Sequence, residues 1–402
     1  MATNPSPKAI KTSELIVLSA CTMVLTALGI DIMLPALASV RSSFGLAADS
    51  TDTAKLISYF FLGQIFQLVF GILSDRKGRL PILRAGFVIY IFFGVVTAFS
   101  PTLEIMFFSR FLTGIGAAAV FMSTIAGVRD RFSGDQMARI MSLIFTIFLF
   151  TPVIAPFLGT AILSLTSSWK MVFLTPPLFA VLVFIWSFRL TETLPEEKRV
   201  KAKARELIKI IKGILANKTF SRYTLITSLL FTVLSTYVST SEHIIGNLYG
   251  RPDLFAWIFG GMGLLMAFSS LSNSWLAMRF GAKKVMRVLI LLYTLVAFAL
   301  FLLTIIKPDY LPDLSVFVAG VAILLSLNLM IEPNTSSLAL EPMGEVAGMA
   351  ASLYGTLLFL IGSLVSSLLF DLLSQDILVL VSAFVIIGVL SVILAYSDKG
   401  RK

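Results

Sequence analysis

The amino-acid sequence predicts an all-α membrane protein with twelve transmembrane helices in two pseudo-symmetric six-helix bundles and with both termini cytoplasmic. Three observations support this fold class: the composition, the lengths of the apolar stretches and the placement of the charges. Hydrophobic residues make up 57% of the 402 residues, charged residues only 13%, and the mean hydropathy is +0.94. Such a chain has too little polar surface to cover a soluble particle.

The apolar stretches have the length of bilayer-spanning helices, which need about 20 mostly apolar residues each. Twelve such stretches follow one another along the chain, at residues 13–40, 53–74, 80–99, 102–127, 136–164, 170–189, 219–248, 253–278, 284–306, 313–340, 345–372 and 376–397. An even number of spans places both termini on the same side of the membrane.

The charges indicate which side that is. With the N-terminus inside, nearly all lysines and arginines fall in cytoplasmic segments, including Lys8 and the tail 398–402. The exceptions are Arg110, which lies within a span, and five residues at the outer side: Arg41, Lys55, Lys170, Arg251 and Lys307. This is the asymmetry of the positive-inside rule. The net charge of +10 is therefore topogenic, and nucleic acid is not an expected partner.

The domain organisation follows from the same reading. We predict a cytoplasmic tail 1–12, a first bundle 13–189, a basic linker 190–218, a second bundle 219–397 and a cytoplasmic tail 398–402. The linker carries apolar residues at helical spacing: Leu207, Ile208, Ile211, Ile214 and Leu215. It is either an amphipathic helix lying on the anionic inner leaflet or a solvated connecting helix. The single cysteine, Cys21, excludes a disulfide framework within the chain.

The two halves resemble each other where their second and third spans join. Residues 73–79 (LSDRKGR) align without gaps to residues 276–282 (LAMRFGA), at an offset of 203 in a chain whose half-length is 201. This spacing is expected for two six-helix units related by duplication.

Residues 71–79 (GILSDRKGR) resemble the signature loop of the major facilitator superfamily. The resemblance implies that superfamily's fold and transport by rocking of the two halves. A tight glycine turn with a carboxylate among cations can form a charge-paired latch at the helix ends, which breaks when the halves move. The expected switch residues of this loop are Gly71, Asp75, Arg76, Gly78 and Arg79. The alternative is a basic loop that only sets topology.

Further segments resemble the bicyclomycin-resistance-type drug:proton antiporters of that superfamily. They are residues 31–35 (DIMLP), 128–134 (VRDRFSG), 138–139 (AR), 155–159 (APFLG), 192–195 (ETLP), 333–334 (PN) and 347–350 (AGMA). The resemblance adds Arg129, Asp130, Pro156 and Gly159 to the switch residues. In the fifth span the group usually has a glycine before the proline and paired glycines after it, whereas this chain has Ala155 and Gly159-Thr160. The direction of transport is correspondingly less firmly implied.

Ionisable groups inside a bilayer are costly and mark transport pathways. Asp31 in the first span and Arg110 in the fourth both lie roughly 12 to 14 Å from the outer ends of their spans, at 1.5 Å per residue. They can therefore face each other. Their counterparts in the family imply Asp31 as a proton acceptor and Arg110 as the cation that tunes its affinity. The alternative is a permanent structural ion pair.

Two carboxylates in the second half depart from the family pattern. Glu242 precedes His243, the only histidine, and Glu332 precedes Pro333, which can bend the tenth span around a cavity. Either carboxylate can instead belong to a helix end or the membrane interface. If Asp31, Glu242 and Glu332 line one cavity, it favours a cationic or amine-bearing substrate that protons displace.

Polar and aromatic residues at similar depths are candidate substrate contacts, although each can equally serve helix packing. They are Tyr59, Gln64, Tyr237, Asn328, Asn334 and Tyr354, beside Asp31, Glu242, His243 and Glu332.

The sequence thus predicts a proton-coupled exporter of a drug-like, cationic or siderophore-type molecule in a bacterial inner membrane. A monomer that uses the proton gradient and needs no cofactor or metal is expected. Proton-coupled uptake of a polar metabolite is the main alternative. A non-transporting receptor and an intramembrane enzyme are remoter, the latter because one histidine and one cysteine cannot build a conventional zinc site.

Overall fold

The computed structural model describes residues 10–199, 204–307, 311–373 and 376–397, and these residues form helices and turns without a strand. Twelve helical spans in this part of the chain are long and apolar enough to cross a bilayer. Their bounds are Thr12–Ser43, Asp52–Lys77, Arg79–Ala98, Leu103–Arg131, Arg139–Thr166, Trp169–Ser187, Lys218–Leu248, Pro252–Phe280, Ala282–Ile305, Leu314–Gly344, Ala347–Leu369 and Ile377–Tyr396. The prediction of twelve spans is confirmed. Lys8, linker residues 200–203 and the tail 398–402 lie outside the described residues.

Successive spans run in opposite directions, so the molecule has two ends. We call the end with Gly78 and Gly281 the basic end and the other the distal end. The spans form two halves, each with its own buried hydrophobic cluster, one centred on residues such as Phe60 and Phe87 and the other on residues such as Phe317 and Phe384. The predicted cytoplasmic side corresponds to the basic end.

The two turns that prompted the repeat alignment share an unusual backbone. Gly78 has φ +100° and ψ 161°, and Gly281 has φ +82° and ψ 139°. Both glycines separate two helices without a connecting loop, and glycine alone adopts such angles readily. Arg84 and Arg287, also 203 residues apart, both place a guanidinium over an aromatic ring at the end of their half, over Phe188 and Tyr396. The halves are therefore alike in local structure as well as in sequence.

The predicted linker helix is present at Ala204–Ala216. Leu207 and Ile214 are buried, and Ile214 packs into the core of the second half, whereas Ile208 and Leu215 are largely exposed. Part of the predicted apolar face is thus covered by protein.

Candidate functional site

The first span breaks where the predicted proton acceptor lies. Its first α-helix ends at Asp31, and α-helix resumes at Leu37 after a 3₁₀ segment, Leu34–Ala36, that contains Pro35, which lacks a backbone donor. Gly159 of the fifth span packs against this break, because a Cβ at that position would overlap the carbonyl oxygen of Ile32. Pro156 is buried one turn earlier in the same helix. Gly159, a predicted switch residue of the fifth span, therefore contacts the break in the first.

The Asp31 side chain is buried, with 6% of its surface exposed. Within the described part of the chain it forms no hydrogen bond and no ion pair. A carboxylate held inside a span without a partner is costly, and is a functional-site candidate on that ground alone.

Arg110 reaches the same stretch of the first span but binds its backbone. The guanidinium Nη2 donates to the Gly29 carbonyl at 2.8 Å, and Nε donates to the Leu56 carbonyl at 3.2 Å. The group also lies 4.5 Å from the centre of the Phe60 ring. Arg110 therefore binds the first span at Gly29, two residues before Asp31, and forms no ion pair with Asp31. The alternative of a permanent ion pair between Asp31 and Arg110 does not describe this structure.

Glu332 lies in a polar cluster of the second half. Its carboxylate neighbours the Tyr354 hydroxyl. That hydroxyl donates to Thr227 Oγ1 at 2.9 Å, and Thr227 in turn donates to Thr335 Oγ1 at 2.6 Å. Glu332 is half-buried. The tenth, seventh and eleventh spans thus meet around one ionisable group, as the first, second and fourth meet around Arg110.

Several predicted substrate contacts are engaged in packing. Asn328 Nδ2 donates to the Leu230 carbonyl at 2.8 Å, and Asn334 Nδ2 donates to Asn273 Oδ1 at 2.8 Å. The Tyr237 hydroxyl is buried against the Met262 sulfur. For Asn328, Asn334 and Tyr237 the packing alternative therefore describes this structure.

Tyr59 and Gln64 differ from these three residues. Tyr59 stacks on Phe107 with ring centres 5.2 Å apart and is partly exposed. Gln64 is fully buried and accepts a hydrogen bond from Gln67, but its Nε2 is buried without a hydrogen-bond partner. Among the predicted contacts of the first half, Gln64 is the one with an unused buried donor.

Glu242 lies at the distal end of its helix, Lys218–His243, as in the helix-end alternative. Its Oε2 accepts from Arg41 Nη2 at 2.7 Å, and both side chains are almost fully buried. This ion pair joins the first and second halves at the distal end. His243 Nδ1 contacts the side-chain amide of Asn247, which donates to the Ala48 carbonyl of the first half. Because Glu242 is paired with Arg41, it adds no unpaired negative charge to a shared cavity in this structure.

The centre of the molecule holds a contact between the halves that the sequence did not indicate. The α-helix of the second span is interrupted by a short 3₁₀ segment at Gln64–Phe66. Thr356 of the eleventh span bonds to the backbone beside it, donating to the Ile65 carbonyl at 2.9 Å and accepting from the Leu68 N–H at 3.0 Å. One side chain of the second half thus satisfies backbone groups that the irregular helix leaves free.

Three phenylalanines pack beside this contact. Phe61 comes from the first half, and Phe231 and Phe359 come from the second. Their ring centres are 5.0 to 5.7 Å apart. The middle of the interface between the halves is therefore aromatic.

The predicted switch residues at the basic end form a charge network. Arg79 Nε donates to Asp130 Oδ2 at 2.8 Å, Nη1 donates to Ser74 at 3.2 Å, and Nη1 also pairs with Asp75. Arg129 is exposed. Within the described residues, the groups that the Arg79 side chain binds all belong to the first half. Towards the second half, Gly71 packs closely on Ser352.

Glu192 completes this network and was not among the predicted site residues. Its carboxylate accepts from the backbone N–H of Arg79 at 2.9 Å and of Leu80 at 3.0 Å, at the start of the third span. Gly78 makes room for it, because a Cβ there would lie 2.6 Å from Glu192 Oε2. Partial burial opposes ionisation, but the backbone donors outweigh it and hold the pKa of Glu192 below its ordinary value.

Comparison with known proteins agrees with this architecture. The model of the family described as Major Facilitator Superfamily matches residues 19–367. The uncharacterized MFS-type transporter YdgK of Bacillus subtilis (strain 168) is 30% identical over 86% of this chain and 85% of its own length. The bicyclomycin resistance protein homolog of Haemophilus influenzae is 27% identical over 85% of this chain and 84% of its own. A crystal structure of a D-xylose-proton symporter superposes with a TM-score of 0.77 at 14% identity, covering 96% of this chain and 97% of that one.

Proposed function

The chain belongs to the major facilitator superfamily, and from that premise we propose that it is a proton-coupled exporter of small molecules. Members of this superfamily are multi-pass membrane transporters of small molecules and not enzymes, and they need no cofactor. The predictions of the family and of a non-enzyme are therefore confirmed. The direction, the coupling to protons and the substrate class are the proposed part.

Asp31 is the observation that carries the proposal. It is a buried carboxylate without a partner, it lies at a break in the first span, and Arg110 is anchored two residues away. A side chain in that position can exchange a proton when the break or the neighbouring arginine moves. The resemblance to bicyclomycin-resistance-type antiporters and the similarity to a bicyclomycin resistance protein homolog support export.

The two ends of the molecule have different parts in this proposal. We place the basic end in the cytoplasm of a bacterium, following the positive-inside rule. The distal end is then the outer side, closed here by the Arg41–Glu242 ion pair. Opening this end to release substrate requires the ion pair to break, and an ion pair between moving halves can do so when it becomes hydrated.

The substrate class follows from what lies between the halves. Phe61, Phe231 and Phe359 offer aromatic surface, and aromatic faces attract organic cations. In the described part of the chain, Asp31 and Glu332 are buried or half-buried carboxylates without an ion pair to a cation. An amphiphilic amine or quaternary cation fits both features better than a polar acid.

The test is proton flux in proteoliposomes that carry an imposed pH gradient and a pH-sensitive dye in the lumen. Hydrophobic cations, amines and siderophore-like acids are added one at a time. We expect a cationic substrate to release protons from acidic vesicles, and Asp31→Asn to abolish this release. Glu332→Gln tests whether the second half shares the coupling.

Glu104→Gln is the matched control, because Glu104 is an exposed carboxylate at the distal end of the fourth span. It should leave the flux unchanged. A substrate that enters vesicles together with protons would replace export by uptake symport. Flux that survives Asp31→Asn would move the coupling to another residue, and ligand binding without any flux would favour a receptor.

A further inference from the structure

The basic end of the second half contains an open groove of about 760 Å³. It is bounded by the start of the ninth span and by the ends of the eighth, tenth and twelfth spans. Among the described residues, Lys284 and Arg287 line it together with Lys283, and Glu341 is the carboxylate in this lining. The groove is therefore positively charged.

Two of these cations are held in place by neighbouring groups. Arg287 Nε donates to the Ala395 carbonyl at 3.2 Å, and its guanidinium lies 5.0 Å from the centre of the Tyr396 ring. The Lys284 ammonium lies 5.8 Å from the centre of the Phe280 ring. A charge fixed by such contacts loses less side-chain entropy on binding an anion than a free surface lysine does.

The first half shows what binds at the equivalent position. At the start of the third span the carboxylate of Glu192 accepts two backbone hydrogen bonds beside Gly78. The ninth span starts in the same backbone conformation beside Gly281, but its first turn has no acidic residue. Apart from its chain neighbours, no atom of the described residues lies within 4 Å of where a Cβ at Gly281 would be. The position that an internal carboxylate fills in one half opens into the basic groove in the other.

The surface around the groove is apolar and aromatic. Met278 is 82% exposed and Trp275 is 54% exposed, and Phe280, Val288 and Tyr396 are largely exposed as well. Arg279 places its guanidinium over both the Trp275 and Phe280 rings. Aromatic rings with cations at the end of a span are typical of the level of the lipid headgroups. This apolar surface favours a ligand that has an apolar part over a soluble anion.

We propose that this groove binds an anionic phospholipid, with the headgroup phosphate at Lys284, Arg287 and the start of the ninth span. The acyl chains then run along the exposed apolar surface that contains Trp275 and Met278. At the equivalent turn of the first half, the carboxylate of Glu192 already binds the start of the third span, so no lipid is expected there.

Trp275 provides a local readout. The full-length protein is reconstituted in phosphatidylcholine vesicles that contain a small fraction of phosphatidylglycerol with dibrominated acyl chains, which quench nearby indoles. Subtracting the quenching measured in Trp275→Phe isolates the signal of Trp275 from that of the other tryptophans. We expect brominated phosphatidylglycerol to quench Trp275 at a several-fold lower fraction than brominated phosphatidylcholine.

The double variant Lys284→Gln/Arg287→Gln should weaken this preference about tenfold or more. The control is Lys209→Gln/Lys212→Gln, which removes two exposed charges from the linker helix at the same end of the molecule and should keep the preference. Equal quenching by both lipids, or an equal loss in both double variants, would overturn the proposal. Displacement of the brominated lipid by inorganic phosphate would also overturn it, and would assign the groove to a soluble anion.

Discussion

Arg41 and Arg79 are buried to a similar degree at opposite ends of the molecule, yet they bind in opposite ways. The carboxylate partner of Arg41 is Glu242 in the other half, whereas Arg79 binds Asp75 and Asp130 within its own half. A contact across the halves must break when they rock, and a contact within one half can persist. The same chemistry therefore closes one end of the molecule and rigidifies the other.

The largest effect is expected at Arg79. Arg79→Ala removes a buried guanidinium together with its bonds to Ser74, Asp75 and Asp130, which costs about 3 kcal/mol of stability. The variant should show the lowest melting temperature of those considered, measured on the purified protein in detergent. The repeat supplies the control: Ala282 occupies the equivalent position beside Met278 and not beside an aspartate, so Ala282→Arg should change little. An unchanged melting temperature for Arg79→Ala would contradict the rigid role.

Glu242→Gln should cost less stability, about 1 to 2 kcal/mol, because the distal end can open and expose Arg41 to water. Its main effect should be on conformation. With spin labels on Ser42 and Asp253 in a Cys21→Ser background, we expect the population with a long distance to rise about tenfold, since 1.4 kcal/mol corresponds to that factor.

The charge swap Arg41→Glu/Glu242→Arg separates the ion pair from a general effect of substitution. It should restore the short distance, whereas either single change should not. If the swap also opens the distal end, the closure depends on packing and not on this pair.

The fold was predictable because its determinants are local. The length of an apolar stretch, the placement of a lysine and the spacing of Gly78 and Gly281 can each be read without knowing which helices touch. The positive φ at both glycines follows from the same requirement for a turn without a loop.

The site was only partly predictable because its determinants are pairings between distant segments. The buried carboxylates Asp31 and Glu332 stand out in any apolar span. Nothing in the residues near Glu242 indicates Arg41, which lies 201 residues away. Thr356 is one of many hydroxyl-bearing residues in the sequence, so nothing singles it out. Its contact depends on an irregular turn in the second span. In the sequence, a partner for Glu242 was suggested only by the position of Arg41 itself, a cation at the outer end of the first span.

Gly78→Ala should be more harmful than Gly281→Ala, although both glycines have positive φ. Each substitution forces a side chain into a conformation that costs about 1 kcal/mol. At Gly78 the new methyl group also meets the Glu192 carboxylate, whereas at Gly281 it enters open space. The difference in melting temperature between the two variants measures how much the Glu192 contact adds, and equal shifts would show that it adds nothing.

Glu192→Gln should have the smallest effect on stability, about 1 kcal/mol, as for the loss of a charged helix cap. The pH dependence of this effect shows whether the charge of Glu192 is responsible. Because the pKa of Glu192 is held below its ordinary value in the folded protein, its stabilisation is present above about pH 4.3 and is lost as the pH falls through the lower, folded pKa. The melting temperatures of the wild type and Glu192→Gln should therefore differ at pH 7 and converge below about pH 4. Glu196→Gln is the control, since Glu196 lies in the same linker and pairs only at the surface with Arg199. A gap that stays constant across the pH range would mean that the Glu192 carboxylate acts through its shape, and that the rigid end of the molecule depends on Arg79 and its two aspartates without it.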